Sequence, residues 1–145
     1  MIDLSNLSPF ASGGNRDCYE HPTNPNICIK VTKSGILENI RKNKVWYKRL
    51  RSSKSFDDNL REESAYKQSA ISSPLDSTIW EHLAQWHGRI DTNLGQASET
   101  ELIKNDNEIA ETLESYLFRE GLTEDIKVAI SIFETWLRKH RVLTK

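Results

Sequence analysis

Five residues constrain this chain most. Ile27-Cys28-Ile29-Lys30-Val31 alternates with a period of two, so Ile27, Ile29 and Val31 share one face of a strand and Cys28 and Lys30 share the other. The strand therefore has an apolar side for a core, and its lysine sits opposite. A lysine placed there can serve a ligand without being buried.

The surrounding residues predict a meander. Residues 4–10 form a short strand candidate ending at Pro9-Phe10. Ala11-Ser12-Gly13-Gly14-Asn15 is expected to turn, because paired glycines reach backbone angles that side chains forbid. Residues 16–20 alternate weakly and predict a second strand. Pro22 and Pro25 make 21–26 a tight connection.

From Ile36 to Leu50 the period changes to a helical one, with Ile36, Ile40, Tyr47 and Leu50 on one stripe. Residues 51–56 are rich in Ser and Lys and are expected to be a mobile linker. A helix is expected at about 57–69, ended by Ser72-Ser73-Pro74. Residues 75–87 admit two patterns. Trp80, Leu83, Ala84 and His87 fall at helical spacing, whereas Trp86 to Ile90 suits the entry to a strand. Asn93-Leu94-Gly95 then predicts a hairpin with a return strand from Ala97 to Ile103.

The last third predicts two helices. Asp106 is expected to cap the first, which carries Ile109, Ala110, Leu113, Tyr116 and Leu117 and ends at Gly121. Thr123 is expected to cap the second. Glu124 and Asp125 fall in its first turn, and Arg138, Lys139, His140 and Arg141 at its end, both favourable to the helix dipole. Its apolar face is Ile126, Ala129, Ile130, Phe133, Trp136 and Leu137.

Charge and composition restrict function by class. A chain of 145 residues with a formal net charge of -1 lacks the basic excess of a phosphate-tracking surface. A local basic run exists at Arg41, Lys42, Lys44, Lys48, Arg49, Arg51 and Lys54, and a solvated helix face explains it. No nucleic-acid partner is expected. No apolar stretch is long enough to span a bilayer. Residues 1–10 contain Asp3 and lack a basic start, so no leader is expected and the compartment is read as cytoplasmic. Cys18 and Cys28 are the only cysteines and are expected to be reduced thiols. No Cys/His spacing calls for zinc, and no metal is expected. His21, His82, His87 and His140 are scattered, and His21 is read as packing its Pro-rich turn. The four tryptophans are read as core anchors.

The run SPFASGGNRDCYEHPTNPNICIKV, at residues 8–31, resembles the start of the PhoP regulatory network protein family, often called YrbL, whose members resemble protein kinases. LREESAY resembles that family's helix after strand three, WHGRIDTNLGQ its hairpin, and HRVLT the stretch before its catalytic-type loop. The likeness is thin between residues 33 and 57, where a helix is expected to be inserted.

This resemblance implies an α+β fold. Residues 1–103 would form a kinase-like N-terminal lobe, a small antiparallel sheet with a helix, and 104–145 a helical segment like the start of a second lobe. It also implies an ATP site. Gly13 and Gly14 match the turn that covers the phosphates, and Lys30 matches the lysine that holds them. Glu63 matches the helix glutamate that fixes the lysine. Glu101, Leu102 and Ile103 match the segment that receives the adenine.

Kinases place magnesium and the acceptor with later Asp and Asn groups, and the chain is expected to stop before that loop. Asp106 and Asp125 are read as helix caps and not as substitutes. The expected function is a kinase-like regulatory or pseudokinase module, without catalysis as this chain. Two alternatives stand beside it. One is a protein-interaction module that binds no nucleotide, with a partner or a second copy on the C-terminal helices. The other is a piece of a longer active kinase.

Overall fold

The computed structural model describes residues 1–43, 56–73 and 77–143. The second half of the helix expected at 36–50, the linker at 51–56 and the basic residues from Lys44 to Lys54 lie outside them, apart from Phe56. The fold is α+β. The chain divides into two compact units, Met1–Tyr66 with Ala84–Leu102, and Lys67–Leu83 with Ile103–Lys145. Residues 67–83, expected with the sheet, thus group with the C-terminal helices.

The first unit is built on an antiparallel sheet of β1 (Ala11–Ser12), β2 (Arg16–His21), β3 (Asn24–Thr32), β4 (Trp86–Thr92) and β5 (Gly95–Glu101). Their order is β1-β2-β3-β5-β4. In β3 the alternation behaves as expected on one face. Ile29 and Val31 join Leu4, Tyr19 and Ala97 in the buried cluster, with Ile2 and Ile90 packed against it.

The opposite face is covered too. Lys30 stands across from Cys18 and Ser98, and Cys28 across from Glu20 and Thr100. Residues paired across an antiparallel ladder share a face. Cys28, Ser98 and Thr100 are buried there. Among the described residues two helices accompany the sheet, α1 (Ile36–Lys42) and α2 (Asp58–Tyr66). Helix α2 docks on the lysine face through Asn59, Glu62 and Tyr66, whose spacing lines one side of a helix. The Tyr66 ring stacks on Trp86 at 6.2 Å, and its hydroxyl donates to the Ala84 carbonyl at 2.5 Å.

Three local expectations fail in this unit. The strand at 4–10 does not form. Ile2 makes a single bridge to Thr92, the Leu4 amide donates to Asn93 Oδ1 at 2.8 Å, and Leu7 turns back onto Leu4. Pro9, which has no N–H, stands just before the short strand β1. The Gly13-Gly14 turn is tighter than expected, since Ala11 and Ser12 already pair with Cys18 and Asp17. Neither glycine has a positive φ, so the turn does not need glycine for its backbone angles. The connection at 21–26 shrinks to Pro22-Thr23. Pro25 falls in β3 where the register slips beyond Glu20, a place where a missing N–H is tolerated.

The second unit contains α3 (Ser69–Ser72), a 3-10 turn (Ser77–Glu81), a hairpin of β6 (Lys104–Asn105) and β7 (Glu108–Ile109), α4 (Leu113–Glu120) and α5 (Glu124–His140). The two patterns read in 75–87 each hold over part of it, a tight helical turn first and β4 afterwards. Asp106 is not a cap. Asp106 and Asn107 have φ of 49° and 72° and form the two-residue turn between β6 and β7. Two consecutive left-handed residues suit a hairpin twist, and Asp and Asn tolerate them.

Thr112 caps α4 instead, its hydroxyl accepting from the Ser115 amide at 3.1 Å. Gly121 closes α4 at φ 76°, and Thr123 caps α5 by accepting from Ile126. Trp136 anchors α5, buried and donating Nε1 to the Thr78 carbonyl at 3.0 Å. Its neighbours Phe133 and His82 pack ring against ring with it. Elsewhere α4 and α5 expose apolar side chains, among them Phe118, Val128 and Ile132.

Candidate functional site

Strand β3 carries Lys30 to the helix face of the sheet, half-buried. Its Nζ lies 2.6 Å from Glu62 Oε1. The other oxygen of Glu62 takes Arg16 Nη1, also at 2.6 Å. One carboxylate from α2 thus clamps a cation from β3 and a cation from β2. Burial pushes the Glu62 carboxyl up, and the Lys30 charge and the hydrogen bonds from Lys30 and Arg16 outweigh it. The group ends below the ordinary carboxylate range and is ionised at neutral pH.

Glu63, the residue matched by resemblance, does not hold Lys30. It faces Arg89 of β4 at 3.7 Å. The correction is one residue, which on a helix is about 100° of rotation. Asn59 and Glu62 look down on β2 and β3, Tyr66 on the same stripe meets Trp86 of β4, and Glu63 is turned toward Arg89 of β4. That i, i+3, i+7 spacing was the available signal in the sequence.

Asn59 ties the clamp to the backbone. It is fully buried. Its Nδ2 donates to the Lys30 carbonyl at 3.0 Å and to Thr32 Oγ1 at 3.3 Å, while its Oδ1 accepts from Arg16 at 3.0 Å. Asp57 accepts from the Asn59 amide and from Thr32 Oγ1. Asn15 Nδ2 donates to Asp58 at 2.8 Å. The first turn of α2 is therefore sewn to β2 and β3 by side chains, and nothing in composition points to Asn59 or Arg16.

The glycine turn lies beyond the Thr32 end of β3. Gly13 donates its N–H to the Arg16 carbonyl at 2.9 Å, which closes the turn. Its own carbonyl accepts Lys33 Nζ at 2.7 Å, and Lys33 also reaches Ser12 Oγ at 2.8 Å. Gly13 is thus held by Lys33, three residues along from Lys30. A Cβ at Gly14 would meet nothing within 4 Å, so space is open above it.

At the other end of the sheet, the Glu101 amide donates to Gln85 and the Leu102 amide to Asn26. Ile103 belongs to the second unit, where its carbonyl accepts from Ala110 at 3.0 Å. Lys30 and Glu62 are joined directly. Gly13, Glu101 and Ile103 make their backbone hydrogen bonds with other residues.

A cavity of about 560 Å³ opens in the first unit, lined by Thr32, Lys33, Leu37, Asp57, Leu60 and Arg89 among others. It borders the clamp without including Lys30 or Glu62. Among the described residues, no three His, Cys, Asp or Glu side chains are grouped to hold a metal ion, and no helix is long and apolar enough to cross a membrane.

No curated protein and no solved structure matches the chain. A family model does, over residues 2–145, and its description is PhoP regulatory network protein YrbL. A match of that extent, running through the strand lysine, the α2 clamp and both C-terminal helices, settles the family: the chain belongs to the PhoP regulatory network protein YrbL family.

Proposed function

We propose that this chain is a kinase-like regulatory module that holds the phosphates of ATP with Lys30. The Lys30–Glu62 pair carries this reading. An ammonium fixed by a carboxylate, itself held by Arg16, is preorganised for an anionic oxygen instead of sweeping through solvent. The antiparallel sheet β1-β2-β3-β5-β4 with α2 laid on its lysine face supports the same reading, as does the family. Gly13 and Gly14 would cover the phosphates, Glu62 takes the place assigned to Glu63, and Glu101 and Leu102 would receive the base. The compartment of this reading is the cytoplasm.

The role is regulatory and not phosphoryl transfer. The acids around Lys30 already have structural partners: Asp17 accepts from Ser12, Asp57 from Thr32 and Asn59, Asp58 from Asn15, and Glu62 from two cations. A carboxylate so engaged is poorly disposed to take a proton from an acceptor.

Titration with a fluorescent ATP analogue tests the proposal. Losing a charge-assisted hydrogen bond costs about 1.5–3 kcal/mol, so Lys30→Ala should weaken binding by about tenfold or more. Equal binding by the variant removes the phosphate role.

A second reading, protein interaction without nucleotide, is favoured by two observations. The Gly13 N–H is spent inside its own turn, and Phe118, Val128 and Ile132 stand exposed on α4 and α5. Exposed apolar patches mark association surfaces. Light scattering across a concentration series checks it. Association that weakens in Phe118→Ser supports this reading, and a monomer at every concentration counts against self-association.

A further inference from the structure

Cys18 and Cys28 are the only cysteines of the chain, and the fold brings them together. Cys18 is opposite Lys30, and Cys28 is two residues from Lys30 on β3. The two thiols thus occupy diagonal positions of adjacent strands on the same sheet face. Cys28 is buried and Cys18 is partly open. From the residues that frame Lys30 and Glu62, we infer that Cys18 and Cys28 form a reversible intrachain disulfide under peroxide, with Cys18 as the reacting thiol and Cys28 as its resolving partner.

The chemistry divides the roles. The neighbouring Cys28 thiol and the charges of Lys30 and Arg16 favour the Cys18 thiolate against the cost of burial, leaving Cys18 lowered to about 7. The neighbouring Cys18 and burial push Cys28 up. Near neutral pH, Cys18 is thus substantially thiolate, the form that attacks peroxide.

Its sulfur takes one oxygen as the O–O bond breaks, giving a Cys18 sulfenic acid and hydroxide. Cys28 then attacks that sulfur. The S–S bond forms, the S–O bond breaks, and the departing hydroxide collects the Cys28 proton as water. Over both steps the sulfurs lose two electrons, and one peroxide becomes two waters.

Geometry makes the bridge reversible. Diagonal residues of an antiparallel pair are separated by about 7–8 Å, with Cβ atoms somewhat closer. A disulfide takes Cα atoms at about 4.4–6.8 Å. Closure therefore shortens that diagonal by on the order of an ångström. A bridge formed under such tension is readily reduced.

Peptide mapping of the whole chain tests this. Asp17–Lys30 is one tryptic peptide holding both cysteines. After hydrogen peroxide and then N-ethylmaleimide, without reductant, this peptide should lack two hydrogens and carry no maleimide. Dithiothreitol should restore two alkylatable thiols. The chain should stay a monomer on a non-reducing gel.

In Cys28→Ser, dimedone should trap a Cys18 sulfenic acid. In Cys18→Ser, Cys28 should stay reduced. Two maleimides on the oxidised wild-type peptide, or a bridge found only between chains, would overturn the inference. Oxidation of Cys28 at the wild-type rate in Cys18→Ser would overturn the division of roles.

Discussion

Glu62 reaches two cations at once, Lys30 through Oε1 and Arg16 through Oε2, each at 2.6 Å. This single carboxylate joins α2 to β2 and β3. Its neighbour Glu63 faces Arg89 of β4 and makes a longer contact of 3.7 Å.

The two glutamates should therefore differ in stability. Glu62→Gln leaves two largely covered cations without their countercharge, which should cost about 1–3 kcal/mol. Glu63→Gln weakens a longer contact, 3.7 Å to Arg89, and should cost less than Glu62→Gln. Urea unfolding of both variants checks the order. A larger loss at Glu63 would contradict the clamp.

Asn59 should be among the most sensitive polar positions. It is fully buried, and its side chain binds the Lys30 carbonyl, Thr32 and Arg16. Asn59→Ala strands a backbone acceptor and a guanidinium donor, at a cost of about 2–3 kcal/mol. Asn59→Asp keeps the acceptor for Arg16 and loses the donor to Lys30, so it should fall between wild type and Asn59→Ala. Denaturant midpoints for the three proteins decide this.

Acid should weaken the fold through Glu62. Its folded value lies below its ordinary 4.5, so the unfolded chain binds the proton more readily than the folded one. The stabilisation is complete above about 4.5 and is lost as pH falls below it through the lower folded value. Urea midpoints measured from neutral pH downward should fall less steeply for Glu62→Gln than for wild type. Parallel slopes would mean that Glu62 does not carry this dependence.

The caps of the C-terminal helices should each be separable. Thr112 and Thr123 accept from Ser115 and Ile126 at the starts of α4 and α5. Replacing either threonine with alanine should cost about 0.5–2 kcal/mol, and serine should restore most of it. Asp106→Ala should leave helix content unchanged, because Asp106 sits in a β-turn. Circular dichroism melts distinguish the three.

Local pattern carried much of the secondary structure. The alternation at 27–31 established β3 and the core face of Ile29 and Val31, because period two admits one division of its side chains. Thr123, Gly121 and the dipole-matched charges defined the boundaries of α5 and the end of α4 through backbone groups only a few residues away. The strand expected at 4–10 and the cap expected at Asp106 failed where a distant partner or a turn offered the backbone better bonds.

The sequence by itself determined β3, α5 and the end of α4, and that Lys30 leaves the apolar face. Its likeness to the family supplied a glutamate for that lysine, one position too late. Tertiary structure chose Glu62, because the rotation of α2 follows from how Asn59 and Tyr66 pack on β3 and β4. It also recruited Arg16, spent the Gly13 amide within its turn, and set Cys18 diagonal to Cys28. Apart from the Gly13 turn, such choices depend on groups separated by 10 to 46 residues along the chain, so no local period encodes them.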